Sequence, residues 1–226
     1  MKKNYWLFLF LIIFAAHLSG IYFANKFLLL ATKPLLVVLL AVFFHTSLKA
    51  ITDPLKKWIL AALFFSWLGD IFLMFQSGNN KFFLAGLFAF LFAHIFFIVF
   101  FHVVRIRENI KSNWLLLLIV VIYYGTLISF LSPYLDNLKL PVRIYGAILS
   151  FMLLLAMHML SIKDKAAGGM FIAGAFLFVI SDSVLAVNKF YMSNLWADII
   201  IMLTYGLAQL FITLGSIGYI QRNNSD

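Results

Sequence analysis

The chain contains no cysteine, only four prolines, and eight acidic residues against 17 basic ones. The absence of cysteine excludes disulfides, thiolate nucleophiles and thiolate-bound metals. Charged residues are also scarce, at 11% of the sequence, whereas 65% is hydrophobic. No soluble core could bury so much apolar surface, so the composition indicates an integral membrane protein that contacts the bilayer directly. No RNA- or DNA-binding motif accompanies the net charge of +9, and we expect no nucleic-acid partner.

Eight apolar runs are each long enough to cross a bilayer, which takes about 20 helical residues. The segments between the runs are short and contain turn-forming or charged residues, which leaves no room for a soluble domain between them. We therefore predict an all-α fold, a polytopic membrane bundle of eight transmembrane helices in a single domain of residues 1–226. The predicted spans are residues 5–23, 33–51, 57–75, 82–104, 113–131, 141–162, 167–187 and 195–219.

The distribution of positive charge predicts the orientation of this bundle. The N-terminus and the loops on its side carry 11 Lys and Arg residues, and the opposite side carries six. Because cytoplasmic loops are enriched in Lys and Arg, we expect both termini to be cytoplasmic in a multi-pass protein of the cell (plasma) membrane. The first run could instead be a cleavable signal peptide, but its apolar stretch continues to about Phe23, which favours a retained helix. The sequence carries no signal for a particular oligomeric state.

Two carboxylates lie where membrane proteins rarely have them. Asp70 in FFSWLGDIFLMF and Asp182 in FLFVISDSVLAV are each deep in an apolar run. A carboxylate at the centre of a membrane helix costs roughly 2.5 to 3.5 kcal/mol on insertion scales, so such acids indicate functional sites unless hydroxyls and neighbouring helices merely satisfy them. Both acids fall slightly beyond the midpoints of their predicted helices, in the outer half of the membrane. We expect them to serve one shared site.

The surroundings of the two acids suggest an internal repeat. Gly69-Asp70-Ile71-Phe72-Leu73 aligns with Ser181-Asp182-Ser183-Val184-Leu185, and the next helix of each half carries a polar residue at a similar offset. Four helices in each half would give two parallel repeats, residues 1–110 and 111–226, related by an axis along the membrane normal. The alternative is that helices rich in Phe and Leu align by chance.

Further polar side chains are candidates to bind or orient a substrate at this site. His94, near the middle of helix four, can serve proton transfer or a structural hydrogen bond. Tyr205 and Gln209 share a helix face with Asp198, and we expect this polar stripe to face the bundle interior. Ser66 lies one turn before Asp70. The other histidines, His17, His45, His102 and His158, share no spacing and are assigned no role.

Two cations accompany prolines at predicted helix starts. Lys33-Pro34 begins helix two, and Pro141-Val142-Arg143 begins helix six. Proline suits a first helical turn, where its missing N–H would have had no partner. Near the interface, Lys33 and Arg143 can bind a lipid phosphate or simply extend their charged ends to the membrane surface.

Six short motifs follow one another along nearly the whole chain. They are Lys33-Pro34, Ser66-x-x-Gly69-Asp70, Gly86 with His94, Pro141-x-Arg143-x-Tyr145, Gly174-Ala175-x-x-Phe178 before Ser181-Asp182, and Tyr205 with Gln209. In this order and spacing the chain resembles the lysoplasmalogenase family, also called YhhN-like. The resemblance implies an eight-helix membrane hydrolase that cleaves the vinyl ether bond of lysoplasmalogens. The substrate would be a lysolipid, and the products a fatty aldehyde and a glycerophospho-head group.

Two buried carboxylates suit this chemistry. A vinyl ether is hydrolysed by slow protonation of carbon to an oxocarbenium ion, which water then attacks, so the catalyst needs one protonated acid and one nearby negative charge. Neighbouring acids in a low-dielectric site resist double ionisation and can supply both. We therefore predict Asp70 and Asp182 as the catalytic pair, without a cofactor or a metal, and leave open which of them is the acid. The orienting groups would be His94, Tyr205, Gln209 and Ser66, with Lys33 or Arg143 holding phosphate.

Two other functions use the same residues. A proton- or cation-coupled transporter would also need intramembrane acids and parallel repeats, although helix breakers inside the spans would be typical of it, and all four prolines are predicted at helix ends or in loops. A metal hydrolase could use His94 with Asp70 and Asp182, but the chain lacks a zinc-helix spacing such as H-E-x-x-H.

A shared site makes a geometric prediction. Helices three and seven should be neighbours, with Asp70 and Asp182 in one polar pocket that is open toward the outer face. The small residues Gly69, Gly174 and Ala175 would permit close helix approach or leave room for an acyl chain. The pocket should also contain at least one of His94, Tyr205 and Gln209, with Lys33 or Arg143 near its mouth.

Overall fold

The computed structural model describes residues 3–76 and 80–224, without the side chains of Lys3, Asn4 and Leu195. Within these residues the chain forms eight α-helices and no β-strand. Each helix is long and apolar enough to span a membrane, which confirms the predicted all-α transmembrane bundle. The helices are α1 Lys3–Tyr22, α2 Lys26–Ser47, α3 Leu55–Met74, α4 Asn80–Arg107, α5 Trp114–Leu131, α6 Lys139–His158, α7 Lys165–Phe190 and α8 Leu195–Asn223.

Short polar side chains begin several of these helices. Asn25 accepts a hydrogen bond from the backbone N–H of Leu28 at the start of α2, and Asn113, Asp164 and Asn194 cap α5, α7 and α8 in the same way. Such caps satisfy backbone N–H groups that have no partner inside the helix. They allow consecutive membrane helices to be joined by very short loops.

Helix α2 differs from the prediction. It begins at Lys26 rather than at residue 33, because Asn25 caps it, and it ends at Ser47. Pro34 therefore lies inside α2, and the expectation that all four prolines fall at helix ends or in loops is wrong at this position. Proline cannot donate the backbone hydrogen bond that the Leu30 carbonyl would otherwise receive. Membrane helices tolerate such a break where neighbouring groups or a cavity can satisfy the carbonyl.

Helix α8 holds the bundle together. It packs most extensively against α7 and also contacts α1, α2 and α3, whereas α5 packs mainly against α6 at the edge of the bundle. Helix α3 packs chiefly on α4 and α2, and α7 packs chiefly on α8 and α6. Within the described residues, α3 and α7 do not pack extensively on each other, contrary to the expectation that they are neighbours, and α8 contacts both and connects them.

Polar contacts fasten the end of the bundle that carries the termini. Arg107, at the end of α4, donates hydrogen bonds of 3.0 and 3.2 Å to the two carboxylate oxygens of Asp53 in the α2–α3 loop. Burial alone would raise the pKa of Asp53, but the hydrogen bonds from Arg107 and from the Leu55 N–H outweigh it and hold that pKa below its ordinary value. Asp53 is therefore ionised at neutral pH and links the loop to α4.

Candidate functional site

A cavity of about 590 Å³ lies among the helix ends that are opposite to the chain termini. Its lining comes from the second halves of α1, α3 and α7 and from the first halves of α2, α4 and α8. In an antiparallel bundle these segments all belong to one side of the membrane. The polar residues that line the cavity are His17, Lys26, Lys33, Asp70, Gln76, Ser181, Asp182, Asp198 and Tyr205.

Asp70 is held from two sides. The Tyr205 hydroxyl, on α8, donates a 2.7 Å hydrogen bond to Oδ2 of Asp70. The ammonium group of Lys33, on α2, lies 3.9 Å from Oδ1. Only 3% of the Asp70 side chain is exposed, so this cation is the main compensation for a carboxylate charge at this position.

A second contact repeats the link between α3 and α8 one turn deeper. Gln209 Nε2 donates a 2.9 Å hydrogen bond to Oγ of Ser66, and both residues are buried. Gln209 lies four residues after Tyr205, and Ser66 lies four residues before Asp70, as antiparallel helices require. Neither Ser66 nor Gln209 lines the cavity. The pair therefore helps to hold α3 and α8 in the register that allows Tyr205 to contact Asp70.

Asp182 has different neighbours. The Tyr145 hydroxyl, on α6, donates a 2.5 Å hydrogen bond to Oδ2 of Asp182. His94 Nε2, on α4, lies 3.7 Å from the same oxygen, too far for a direct hydrogen bond. The His94 ring is fully buried and packs edge-on against Tyr145 and Phe178. Among the described residues, no Lys or Arg comes within ion-pair distance of Asp182.

The structure brings most of the sequence-predicted residues together. Asp70, Asp182, Tyr205 and Lys33 line the one cavity, His94 approaches Asp182, and Gln209 and Ser66 lie behind Asp70. Of the two cations that were alternatives for the mouth of the pocket, Lys33 lines the cavity and Arg143 does not. Arg143 is exposed at the start of α6, where its guanidinium donates a hydrogen bond to Ser132. Helix α6 contributes to the site through Tyr145, which lies on a different face of the helix.

Sequence reasoning missed two residues of this region. Tyr145 belongs to a quoted motif but received no role, since its hydrogen bond to Asp182 depends on the packing of α6 against α7. The sequence assigns His17 no role, although it lines the cavity. Its position in an apolar helix could have singled it out, because ionisable residues inside membrane helices are rare.

The side chains do not form an evident metal site. Within residues 3–76 and 80–224, no three or more His, Asp or Glu residues form a group that could hold a metal ion. His94 and Asp182 approach each other, but Asp70 is bonded separately to Tyr205. The arrangement instead presents two largely buried carboxyl groups to one cavity, and among the described residues a lysine or arginine lies beside only one of them.

Comparisons with known proteins agree with this architecture. The model of the YhhN family matches residues 28–216. The chain is 30% identical to lysoplasmalogenase TMEM86A of Bos taurus over 175 residues, which are 74% of this chain and 68% of that protein. It is 38% identical to lysoplasmalogenase TMEM86B of Homo sapiens over 103 residues, 45% of this chain and 42% of that protein. The chain thus spans less than half the length of the human relative. No solved structure matches the chain.

Proposed function

The chain belongs to the YhhN family, and we propose that it is a membrane hydrolase that cleaves the vinyl ether bond of lysoplasmalogen-like lysolipids. The products would be a fatty aldehyde and a glycerophospho-head group. The observation that carries the proposal is the single cavity that Asp70 and Asp182 both line, with Lys33 beside Asp70. The names of the bovine and human relatives support the same substrate class.

The unequal surroundings of the two acids suggest which of them is the general acid and which stabilises the cation. Lys33 supplies a positive charge next to Asp70, which favours the carboxylate form. The Asp182 side chain is only 9% exposed and has no such cation among the described residues, which favours the neutral acid. In that form Oδ2 accepts the hydrogen bond from Tyr145, and Oδ1 carries the proton. Asp182 is then the general acid, and Asp70 is the negative charge that stabilises the oxocarbenium ion.

The reaction can be followed proton by proton. Asp182 transfers its proton to the vinyl carbon that is not bonded to oxygen, which leaves the Asp182 carboxylate and an oxocarbenium ion near Asp70. Water adds to the carbon bonded to the ether oxygen and loses a proton to the Asp182 carboxylate, which restores the acid. The resulting hemiacetal collapses to the fatty aldehyde and the free glycerol hydroxyl. One water molecule is consumed, and the protein ends in its starting protonation state.

The cavity also offers places for the two ends of the lipid. Lys26, exposed at the mouth, and Lys33 further in are positioned to attract the phosphate group. Apolar side chains, among them Leu73, Leu185 and Met202, line the remaining wall and suit the alkenyl chain. The lipid would thus lie with its head group at the membrane surface and its vinyl ether between the acids.

The test is replacement of each acid by its isosteric amide. We expect Asp70→Asn and Asp182→Asn, measured separately in purified protein, to reduce aldehyde release from a vinyl ether lysolipid by roughly 10²- to 10⁴-fold, the usual contribution of acid–base groups. Asp136→Asn is the matched control, because Asp136 is exposed outside the cavity, and it should keep wild-type activity. Full activity in either cavity variant, at wild-type folded yield, would disprove the pair mechanism.

One observation favours a second candidate, a proton- or cation-coupled transporter that uses the same aspartates. Pro34 lies inside α2, next to the cavity-lining Lys33, and helix breakers within membrane spans are typical of transporter sites. Protein reconstituted in liposomes distinguishes the two functions. Lysolipid-dependent proton flux without aldehyde formation would support transport, whereas aldehyde formation without flux would support the hydrolase.

A further inference from the structure

A buried histidine and a buried threonine form a hydrogen-bonded pair on the cavity wall. His17 Nδ1, on α1, lies 2.7 Å from Oγ1 of Thr32, on α2. Only 2% of His17 and 4% of Thr32 are exposed. His17 lines the cavity, and no step of the proposed reaction uses it. Ionisable residues inside membrane helices are rare, and they usually indicate a functional site.

The hydrogen bonds assign the proton on this imidazole. Thr32 Oγ1 also lies 2.6 Å from the carbonyl oxygen of Leu28, to which it donates. A hydroxyl has a single hydrogen, so Oγ1 can only accept from His17, and Nδ1 must carry the ring proton. Burial favours the neutral imidazole, in which Nε2 is then an acceptor. Nε2 has no hydrogen-bond partner among the residues that the structure describes.

The pair is adjacent to the reacting groups. Thr32 precedes Lys33, whose ammonium lies 3.9 Å from Asp70, and His17, Lys33 and Asp70 all line the same cavity. A lysolipid carries one free hydroxyl, on the middle glycerol carbon, between its ether oxygen and its phosphate. With the ether near Asp70 and the phosphate near Lys26 and Lys33, this hydroxyl would lie within the cavity that His17 also lines.

We propose that His17 Nε2 accepts a hydrogen bond from the free sn-2 hydroxyl of the lysolipid and makes the site selective for substrates that have it. The inference rests on the proposed hydrolase function. Thr32 is a positioning residue, since it fixes the tautomer that leaves Nε2 able to accept. A lipid acylated at sn-2 has no hydrogen to donate and would cover Nε2 without pairing it, and sites built around a hydroxyl discriminate strongly against analogues that lack it.

The experiment compares two vinyl ether lysolipids that share head group and chain, one with the sn-2 hydroxyl and one with hydrogen in its place. For purified wild-type protein we expect kcat/KM for the deoxy lipid to be roughly 10- to 100-fold lower. His17→Leu should reduce the ratio of the two kcat/KM values to about one, chiefly by loss of activity on the hydroxyl lipid. His17→Gln, whose amide oxygen can accept a hydrogen bond, should keep part of the ratio.

Two further variants separate selectivity from a structural role. Thr32→Val preserves the side-chain shape but removes the hydroxyl that fixes the His17 tautomer. We expect it to lower the ratio of the two kcat/KM values without abolishing activity. His102→Leu makes the same chemical change at an exposed position outside the cavity and should leave the ratio unchanged. A purely structural role of His17 would lower both rates equally.

The possible outcomes are distinct. A wild-type ratio near one, or an unchanged ratio in folded His17→Leu protein, would overturn the inference while the hydrolase proposal survives. If wild type releases no aldehyde from either lipid, the hydrolase proposal fails. The inference then depends on equilibrium binding of the two lipids, and equal affinities in wild type would overturn it. Tighter binding of the hydroxyl lipid in wild type, lost in His17→Leu, would support it.

Discussion

The two intramembrane acids differ in their charged neighbours, and that difference distinguishes their proposed roles. Tyrosine hydroxyls donate to both, Tyr205 to Asp70 and Tyr145 to Asp182. Among the described residues, only Asp70 has a lysine or arginine, Lys33, within ion-pair distance. In a low-dielectric cavity one nearby charge changes the balance between neutral and ionised forms strongly. The cation therefore makes two chemically identical carboxyl groups inequivalent.

Lys33 should consequently matter in a way that Arg143 does not. We expect Lys33→Gln to lower kcat/KM for a vinyl ether lysolipid by roughly 10²-fold or more, the usual cost of removing a preorganised electrostatic group. Arg143→Gln removes an equal charge at a position outside the cavity and should stay close to wild type. Steady-state kinetics of both variants provide the check. Equal losses in the two variants would show that net charge, rather than the Asp70 contact, is responsible.

How far the sequence predicts individual residues depends on their chemistry. Asp70 and Asp182 could be singled out because an acid in an apolar run has few structural reasons to be there. Tyr145 could not be selected in this way, since a tyrosine in a membrane helix often serves only packing, and the intramembrane position of His17 indicates a polar neighbour without identifying it. Their roles depend on which helices meet, and that information lies in the packing of α6 on α7 and of α1 on α2.

At the scale of helices, small residues determine how closely neighbours approach. A Cβ on Gly174 of α7 would lie 2.6 Å from the Ile212 side chain and 3.0 Å from the Ala208 carbonyl oxygen of α8. A Cβ on Gly69 of α3 would lie 2.5 Å from the Phe90 ring of α4. Both glycines therefore serve close helix packing, and neither leaves room for an acyl chain. The approach of α7 to α8 brings Asp182 and Tyr205 to one cavity.

Gly174→Val should separate α7 from α8. We expect a loss of stability of about 1–3 kcal/mol, typical of overpacked contacts, because part of the clash is with backbone that cannot move aside. Gly169→Val is the matched control, since it lies on the same helix and a Cβ there meets nothing within 4 Å. The midpoint of thermal unfolding in detergent should fall for Gly174→Val alone. An equal fall in both variants would point to helix propensity instead of packing.

The helices themselves were predictable to the extent that length and hydropathy define them. All eight spans were found, because about 20 apolar residues have few alternatives to a membrane helix. The start of α2 was misplaced because Lys33-Pro34 has the composition of a helix start, whereas the Asn25 cap precedes it by two turns. The error also placed Lys33 at the interface, although it lies inside α2 and reaches Asp70.

For the molecule as a whole, two contacts at the site join the two halves of the chain. Asp70 of the first half bonds to Tyr205 of the second, and Asp182 of the second half approaches His94 of the first. His94 and Tyr205 occupy similar positions after their respective acids, so the crossing has the form expected of two parallel repeats. The repeats, residues 1–110 and 111–226, stay a prediction, and on that prediction neither half would form the site alone.

The side of the membrane on which the cavity opens is the final prediction. The cavity lies opposite to the termini, and the excess of Lys and Arg on the terminal side predicts that this side is cytoplasmic. Because the chain has no cysteine, single substitutions report the side without background labelling. Ser193→Cys, exposed in the α7–α8 loop at the cavity end, should react with a membrane-impermeant maleimide on intact cells. Ser161→Cys, exposed at the opposite end, should react only after permeabilisation. The reverse pattern would invert the topology, and the substrate would then enter from the cytoplasmic leaflet.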